Sequence, residues 1–280
     1  AKRLTDLLEL DPSSGIAVHL RGKCYYEERE HDSAIKDFTT QIELGYEIGR
    51  GYDCRGRSYY RQGIGNTNAM AFADLMISLD DYTKQIELKY DIGRGLYNRG
   101  LANRYLENYP EAIADFTEQI NHGYIPGKGY SYRAECYVKL EENYKAIKDY
   151  TEQIKCEHDV EAGYFDRGKC YFEEREYESA IKDFYKTIKY GNELGYYWRG
   201  QANFNLEQYE DAVNDFTEQI DYGDEEAEGY YWRGKAYFNL GQYEDAVNDL
   251  TEQIDYSHKE AEGYYWRGQA NFHLEQYEDA

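Results

Sequence analysis

The sequence predicts an all-α, right-handed superhelical solenoid of helix-turn-helix repeats, and three observations carry that reading. The 280 residues amount to eight copies of a 34-residue period with ten residues inserted and two removed. Apolar residues within each copy recur every three or four positions, the spacing of one helix face, without the alternation of a strand. A period in the thirties with that patterning belongs to stacked helical units that bury a core only against their neighbours.

The frame is clearest toward the C-terminus. Residues 195–228 and 229–262 agree at 27 of 34 positions, and 263–280 begins a further copy. Carried backwards, the same frame gives 163–194, two residues short, then 129–162, 95–128, 51–94, which holds the ten extra residues, and 17–50. Residues 1–16 read as the second helix of a copy with no first helix before it. The whole is read as one repeat domain spanning 1–280.

Each copy reads as two helices. In 195–228 the first carries Tyr196, Gly200, Ala202 and Phe204, and the second carries Ala212, Phe216 and Ile220 at intervals of four. Glycine recurs in the first helix as Gly22, Gly56, Gly100, Gly168, Gly200, Gly234 and Gly268, with Ala134 in the remaining copy. Glycine costs about 1 kcal/mol inside a helix, so its recurrence predicts a close helix crossing. The pattern resembles the tetratricopeptide repeat over essentially the whole chain, on Gly200, Tyr209, Ala212, Phe216 and their equivalents. It departs from that family at Arg199, where a Leu is usual, and at Gln219, where a small Ala is usual. The family's linker Pro is found only as Pro12.

The arginine departure is regular. Arg21, Arg55, Arg99, Arg133, Arg167, Arg199 and Arg233 each match an aspartate on the following helix: Asp37, Asp81, Asp115, Asp149, Asp183, Asp215 and Asp249. This predicts an Arg–Asp pair tying the two helices of a unit, with the Gln one turn beyond the Asp sharing the network. The inserted residues near 64–74 are expected to lengthen the second helix of their copy, with Asn68 as N-cap and Met70, Phe72 and Met76 projecting.

Composition narrows function. There are 32 Lys and Arg against 55 Asp and Glu, a net charge of -23, which disfavours nucleic acid and anionic membranes as partners. No apolar run approaches the roughly 18 residues of a spanning helix. Cys24, Cys136 and Cys170 sit at one core position of three copies. Neighbouring helices pack about 8–10 Å apart, beyond the roughly 7 Å reach of a disulfide, so the thiols are expected to be reduced. The six histidines show no metal-ligand spacing, and Gly123–Gly129 lacks the spacing, the hydroxyl and the preceding strand of a phosphate loop. The expectation is a non-enzymatic protein without cofactor or metal; the compartment stays open.

The family resemblance implies binding along a groove lined by first helices. The C-terminal copies offer Tyr197, Trp198, Tyr231, Trp232, Tyr265 and Trp266 there, either exposed as a contact ladder or covered by neighbouring units. The family's Lys–Asn carboxylate clamp has no counterpart. A second surface lies in the two half repeats. Joined head to tail, Ala280 followed by Ala1 continues the frame, placing Leu4, Thr5 and Leu8 where Phe216, Thr217 and Ile220 stand. Self-assembly would then use Leu4, Leu7 and Leu8 against Tyr265, Arg267, Phe272, Tyr277 and Ala280. Arg3, opposite Arg267, is the one residue that opposes this joint, and Asp6 lies one turn away. Two functions follow: a subunit of a head-to-tail filament of identical chains, or a monomeric adaptor for peptides or partner helices. A segment of a longer repeat protein would show the same two half repeats.

Overall fold

The computed structural model describes residues 1–65, 69–222, 226–256 and 261–278. Every described element is an α-helix, and the chain forms two compact units, residues 1–142 and 143–280. The first unit holds α1 (Lys2–Leu10), α2 (Gly15–Glu27), α3 (His31–Glu43), α4 (Ile48–Gly65), α5 (Ala69–Glu87), α6 (Ile92–Tyr105), α7 (Tyr109–Asn121) and α8 (Pro126–Lys139). The second holds α9 (Asn143–Lys155), α10 (Val160–Glu173), α11 (Tyr177–Lys189), α12 (Leu194–Asn205), α13 (Tyr209–Tyr222), α14 (Glu226–Asn239), α15 (Tyr243–Tyr256) and α16 (Ala261–Glu278). Even-numbered helices are the first helices of the repeats and odd-numbered ones the second, as the frame predicts.

Within each unit every helix packs on the next, and consecutive first helices also touch: α2 on α4 on α6 on α8, and α10 on α12 on α14 on α16. Among the described residues no two consecutive second helices come as close. First helices therefore form the inner layer of each unit and second helices the outer one.

The recurring glycine does what its cost implies. A Cβ on Gly22 would lie 2.8 Å from the Phe38 ring, on Gly200 2.8 Å from Phe216, and on Gly234 2.9 Å from Leu250. The aromatic or Leu of the second helix thus rests on bare backbone of the first, and Phe38, Phe116, Phe184, Phe216 and Leu250 are fully buried. Such side chains also reach the next repeat, as Phe216 does in a cluster with Ala236 and Trp232 and Phe116 with Cys136.

Six of the expected Arg–Asp pairs form inside the units: Arg21–Asp37, Arg55–Asp81, Arg99–Asp115, Arg167–Asp183, Arg199–Asp215 and Arg233–Asp249. Arg133 and Asp149 belong to different units. The fork is two-pronged, with Arg233 Nε and Nη2 donating to the two Asp249 oxygens at 2.7 and 2.8 Å. Burial pushes Asp81, Asp183, Asp215 and Asp249 above the usual carboxylate range, against the pull of their arginines. The hydrogen bond to Asp81 raises Arg55. The two shifts oppose each other in stability, so the pair sets register more than it adds free energy.

Two details differ from expectation. Gln41 and Gln85 turn to the linker instead of the pair: Gln41 Nε2 donates to the carbonyls of Tyr46 and Glu47, and Gln85 Nε2 to those of Tyr90 and Asp91. Each ties the end of a second helix to the linker, whose backbone leaves buried carbonyls without a helical donor. The third partner of the Asp is instead an asparagine on the first helix, Asn103 to Asp115 and Asn203 to Asp215.

The insertion lengthens both helices of its copy rather than the second alone. At 18 and 19 residues, α4 and α5 are each longer than the 13-residue α2 and α3. Gly63 on α4 lies against Ala71 and Leu75 on α5, so the added turns zip together by the same close approach. Met70, Phe72 and Met76 are exposed as expected, while Asn68 lies outside the described residues.

Candidate functional site

Two surfaces were read from the sequence, and the structure treats them differently. The first comprises the outer flanks of α1 and α16. α1 packs on α2 in the place of a second helix against the following repeat, over a smaller contact than the longer second helices make. Leu8 is buried with Ala17 and Val18, with Leu4 against them, as Ile42 meets Gly51 and Ile220 meets Gly229. Arg21 Nη1 lies 3.5 Å from Thr5 Oγ1. This repeats a bond the sequence reading missed, between each pair arginine and the Thr sixteen residues before it. Arg55 donates to Thr39, Arg99 to Thr83, Arg133 to Thr117, Arg167 to Thr151 and Arg233 to Thr217. Tyr185 replaces that Thr before Arg199, and the guanidinium lies 5.9 Å from its ring. In every copy but 163–194 the Thr follows directly on the large apolar or aromatic residue of the second helix, and that register was the available signal.

α16 packs on α15 through the fully buried Ala270, and Arg267 lies 3.4 Å from Thr251. Among the described residues a Cβ on Gly268 would meet nothing within 4 Å, unlike those on Gly22, Gly56, Gly100, Gly168, Gly200 and Gly234. Tyr265 is 60 % and Phe272 55 % exposed. Among the described residues Arg267 has no acidic partner. On α1, Leu7 is 45 % exposed. The side chain of Tyr277, and Ala280, lie outside the described residues.

The second surface is the inner layer. In the second unit the tryptophans turn toward the preceding repeat. Trp198 packs edge-on to Phe172 at 5.4 Å and stacks on Phe184, and Trp232 does the same with Phe204 and Phe216. Trp266 lies 5.2 Å from Phe238. Tyr197 is half-buried, and Tyr231 is buried with its hydroxyl donating to Glu262. Of the six groove aromatics only Tyr265 is exposed. The ladder is covered by its neighbours rather than presented as an open strip. Lys235 fills what space is left, its Nζ 4.3 Å from the Trp232 ring centroid and 4.9 Å from that of Tyr231. Burial there pushes its amine down, against the pull of Glu262.

The inner layer of the first unit is polar. Asp53 is almost fully buried, 3.2 Å from Arg57 and 3.9 Å from Arg94, with Asn98 also within reach. Burial raises the Asp53 carboxyl while the two arginines oppose it. Arg57 also lies over the Tyr26 ring, and Arg104 over that of Tyr132 while pairing with Glu135. His19 is buried, its Nδ1 2.9 Å from Gln41 Oε1.

No described helix is long and apolar enough to cross a membrane. Among the described residues no group of three or more His, Cys, Asp or Glu is arranged to hold a metal ion.

These features define a class: a scaffold of stacked helix pairs whose variable residues face inward. Residues 197–255 and 233–280 match the family model of the tetratricopeptide repeat. Over nearly its whole length the fold resembles the C-terminal part of a tetratricopeptide repeat-containing protein from Cytophaga hutchinsonii. The TM-score is 0.75 at 15% identity, covering 89% of this chain and 98% of that one. A tetratricopeptide repeat protein from Parabacteroides merdae matches with TM-score 0.59 at 14% identity, covering 92% of this chain and 98% of that one. YrrB, described as a tetratricopeptide protein with an unusual peptide-binding site, matches with TM-score 0.59 at 14% identity, over 66% of this chain and 96% of its own. No curated protein sequence matches the chain. The C-terminal repeats thus match the tetratricopeptide-repeat family model, and the chain shares the fold of solved tetratricopeptide-repeat proteins.

Proposed function

We propose that the chain is a non-enzymatic interaction scaffold that joins end to end, α1 of one copy completing the half repeat that α16 of the next leaves open. The observation that carries this reading is the empty flank of Gly268, where the equivalent glycines hold a second-helix side chain. Leu4 stands at the matching place in the frame, and Leu250 on Gly234 is a precedent for leucine in that contact. Thr5 and Leu8 already make the bonds of a second helix to the following unit. Arg3 would face Arg267 where an aspartate is usual, and Asp6 one turn on supplies the compensating charge. The contact joins unlike surfaces, so it propagates as an open filament unless its rotation closes a ring.

A monomeric adaptor holding a peptide against Tyr197, Trp198, Tyr231, Trp232, Tyr265 and Trp266 is the second reading. Inward packing of the tryptophans removes most of the surface it would use. Negative-stain electron microscopy and light scattering of residues 1–280 separate the two. Assemblies that disappear in Gly268→Leu support end-to-end joining, because a side chain there meets open space in one chain but collides with Leu4 in the joint. A 33.0 kDa monomer at every concentration overturns it.

A further inference from the structure

The second helices repeat one sequence, and the interruption falls on α11. Thr39, Thr83, Thr117, Thr151, Thr217 and Thr251 hold one position, which in α11 is Tyr185. The next position is Glu118, Glu152, Glu218 and Glu252 in four copies and Lys186 in α11, so its charge is reversed. Lys182, one turn earlier, stands where α13 and α15 carry Asn214 and Asn248. The fork does not demand these changes, since Arg199–Asp215 forms beside them as it does elsewhere.

The substitutions leave a donor unused. In Arg167 and Arg233, Nε and Nη2 hold the aspartate while Nη1 donates to the threonine. Arg199 likewise commits Nε and Nη2 to Asp215, to which Asn203 also donates. Its Nη1 makes no hydrogen bond among the described residues, because Tyr185 brings a ring where the hydroxyl would be, 5.9 Å from the guanidinium carbon. Around this group the helices leave a cleft of about 620 Å³. It is lined by Lys182, Tyr185 and Lys186 of α11, Arg199 of α12, and Asp211 and Asn214 of α13. Spacings of three and four put Lys182, Tyr185 and Lys186 on one helix face, and all three are exposed. Neither lysine has an acidic partner within 4 Å among the described residues. The cleft shares no residue with the end-to-end joint or with the groove aromatics.

We infer that this cleft binds a small phosphate monoester with a flat apolar body. The inference rests on neither reading of function above. The donors define the head group. A carboxylate is held best by the two-pronged arginine fork, and in Arg199 that fork is closed by Asp215. What remains is one N–H and two ammonium groups on separate stems, which suit separate oxygens, and a phosphate monoester presents three. Lys189, 4.9 Å from the Tyr185 ring, adds a further ammonium nearby. Tyr185 and Ile181 give the cleft an apolar wall for the rest of the molecule, and its volume falls within the roughly 300–1,000 Å³ of small-molecule sites. Of the two lining acids Asp215 is held by the fork, so Asp211, exposed on α13, is the one that opposes an anion. The chain's net charge of -23 is screened beyond about 8 Å at physiological salt, which leaves the lysines to set the local potential.

The test is isothermal titration of the full chain with phenyl phosphate, with inorganic phosphate, benzoate and phenol as further probes. Phenyl phosphate should bind at one site per chain, inorganic phosphate and benzoate at least fivefold more weakly, and phenol not at all. Tyr185→Thr returns to Arg199 the partner its equivalents have, and should cut affinity at least fivefold without lowering the melting temperature. Lys182→Asn with Lys186→Glu should cut it at least tenfold, and Asp211→Ser should raise it at least twofold. The control Lys148→Asn, at the position of Lys182 on α9, should change it less than twofold. Each replacement installs a residue that the same position carries in another repeat, and circular dichroism checks that each variant folds. No binding of phenyl phosphate at 10 mM, benzoate or inorganic phosphate binding as tightly, or equal loss in the control and the double variant each overturns the inference. A seven-residue phosphotyrosine peptide binding more than tenfold tighter than phenyl phosphate would assign the cleft to a protein partner and overturn it too.

Discussion

The two units share a skeleton and differ in what they hang on it. Both place an Arg–Asp fork between the helices of a repeat, a Thr on the same arginine, and a large side chain over a bare glycine. One inner position, however, is Trp198, Trp232 and Trp266 in three of the four repeats of the second unit, with Asp166 in the other, and Leu20, Cys54, Asn98 and Tyr132 in the first. The comparison separates what the repeat needs from what it tolerates. Buried forks and glycine contacts recur because they set how one helix lies on the next from repeat to repeat. The inner layer varies because its side chains complete no bond that every repeat shares, and there the units differ, with stacked tryptophans in the second and the Asp53–Arg57–Arg94 cluster in the first.

The largest expected effects fall on the shared skeleton. Asp249→Ala leaves Arg233 partly buried without its partner and should cost about 3 kcal/mol. Replacing both residues with Leu should cost within about 1 kcal/mol, and Asp81 with Arg55 in the first unit should behave alike. The units can be read separately because all three tryptophans lie in the second, so their fluorescence follows that unit while circular dichroism follows both. Unequal losses at the two sites would break the claim of a common device.

A smaller effect should be specific to the second unit. Trp232→Ala removes a ring that stacks on Phe216 and meets Phe204 edge-on. A loss of about 2–3 kcal/mol in denaturant unfolding is expected, whereas Asn98→Ala at the matching place should cost under about 1 kcal/mol. A tryptophan serving an exposed groove would give the opposite order.

The smallest effect concerns pH and the first unit. Burial pushes His19 below its usual 6.5, with Arg50 and Lys23 acting in the same direction and Gln41 and Glu47 against it; burial also lowers His31. A depressed histidine contributes stability that is present above about pH 6.5 and is lost as pH falls below it. The first unit should therefore weaken as pH falls below about 6.5, seen as circular dichroism melting ahead of tryptophan fluorescence. His19→Gln should shrink that separation, and an unchanged separation would contradict the assignment.

Most of the skeleton was legible because it is periodic. A glycine recurring at a helical cost, or an arginine recurring at a leucine position, signals a contact before any coordinate is known. Gln41 was misplaced because helical spacing put it beside the Asp, while the linker carbonyls that capture it carry no side-chain signature. The insertion was assigned wholly to α5 for a similar reason: its alanines favour helix, but the zipping of Gly63 against Leu75 depends on α4 extending too.

End-to-end joining can be isolated with two chains that each lack one face. Leu4→Asp disables α1 and leaves α16 intact; Gly268→Leu disables the flank of α16 and leaves α1 intact. Each variant alone should run as a 33.0 kDa monomer in light scattering, and an equimolar mixture should give one joint and a species of about 66 kDa, twice that mass. A mixture that stays monomeric while wild-type chains assemble would contradict exchange of half repeats as the basis of the contact.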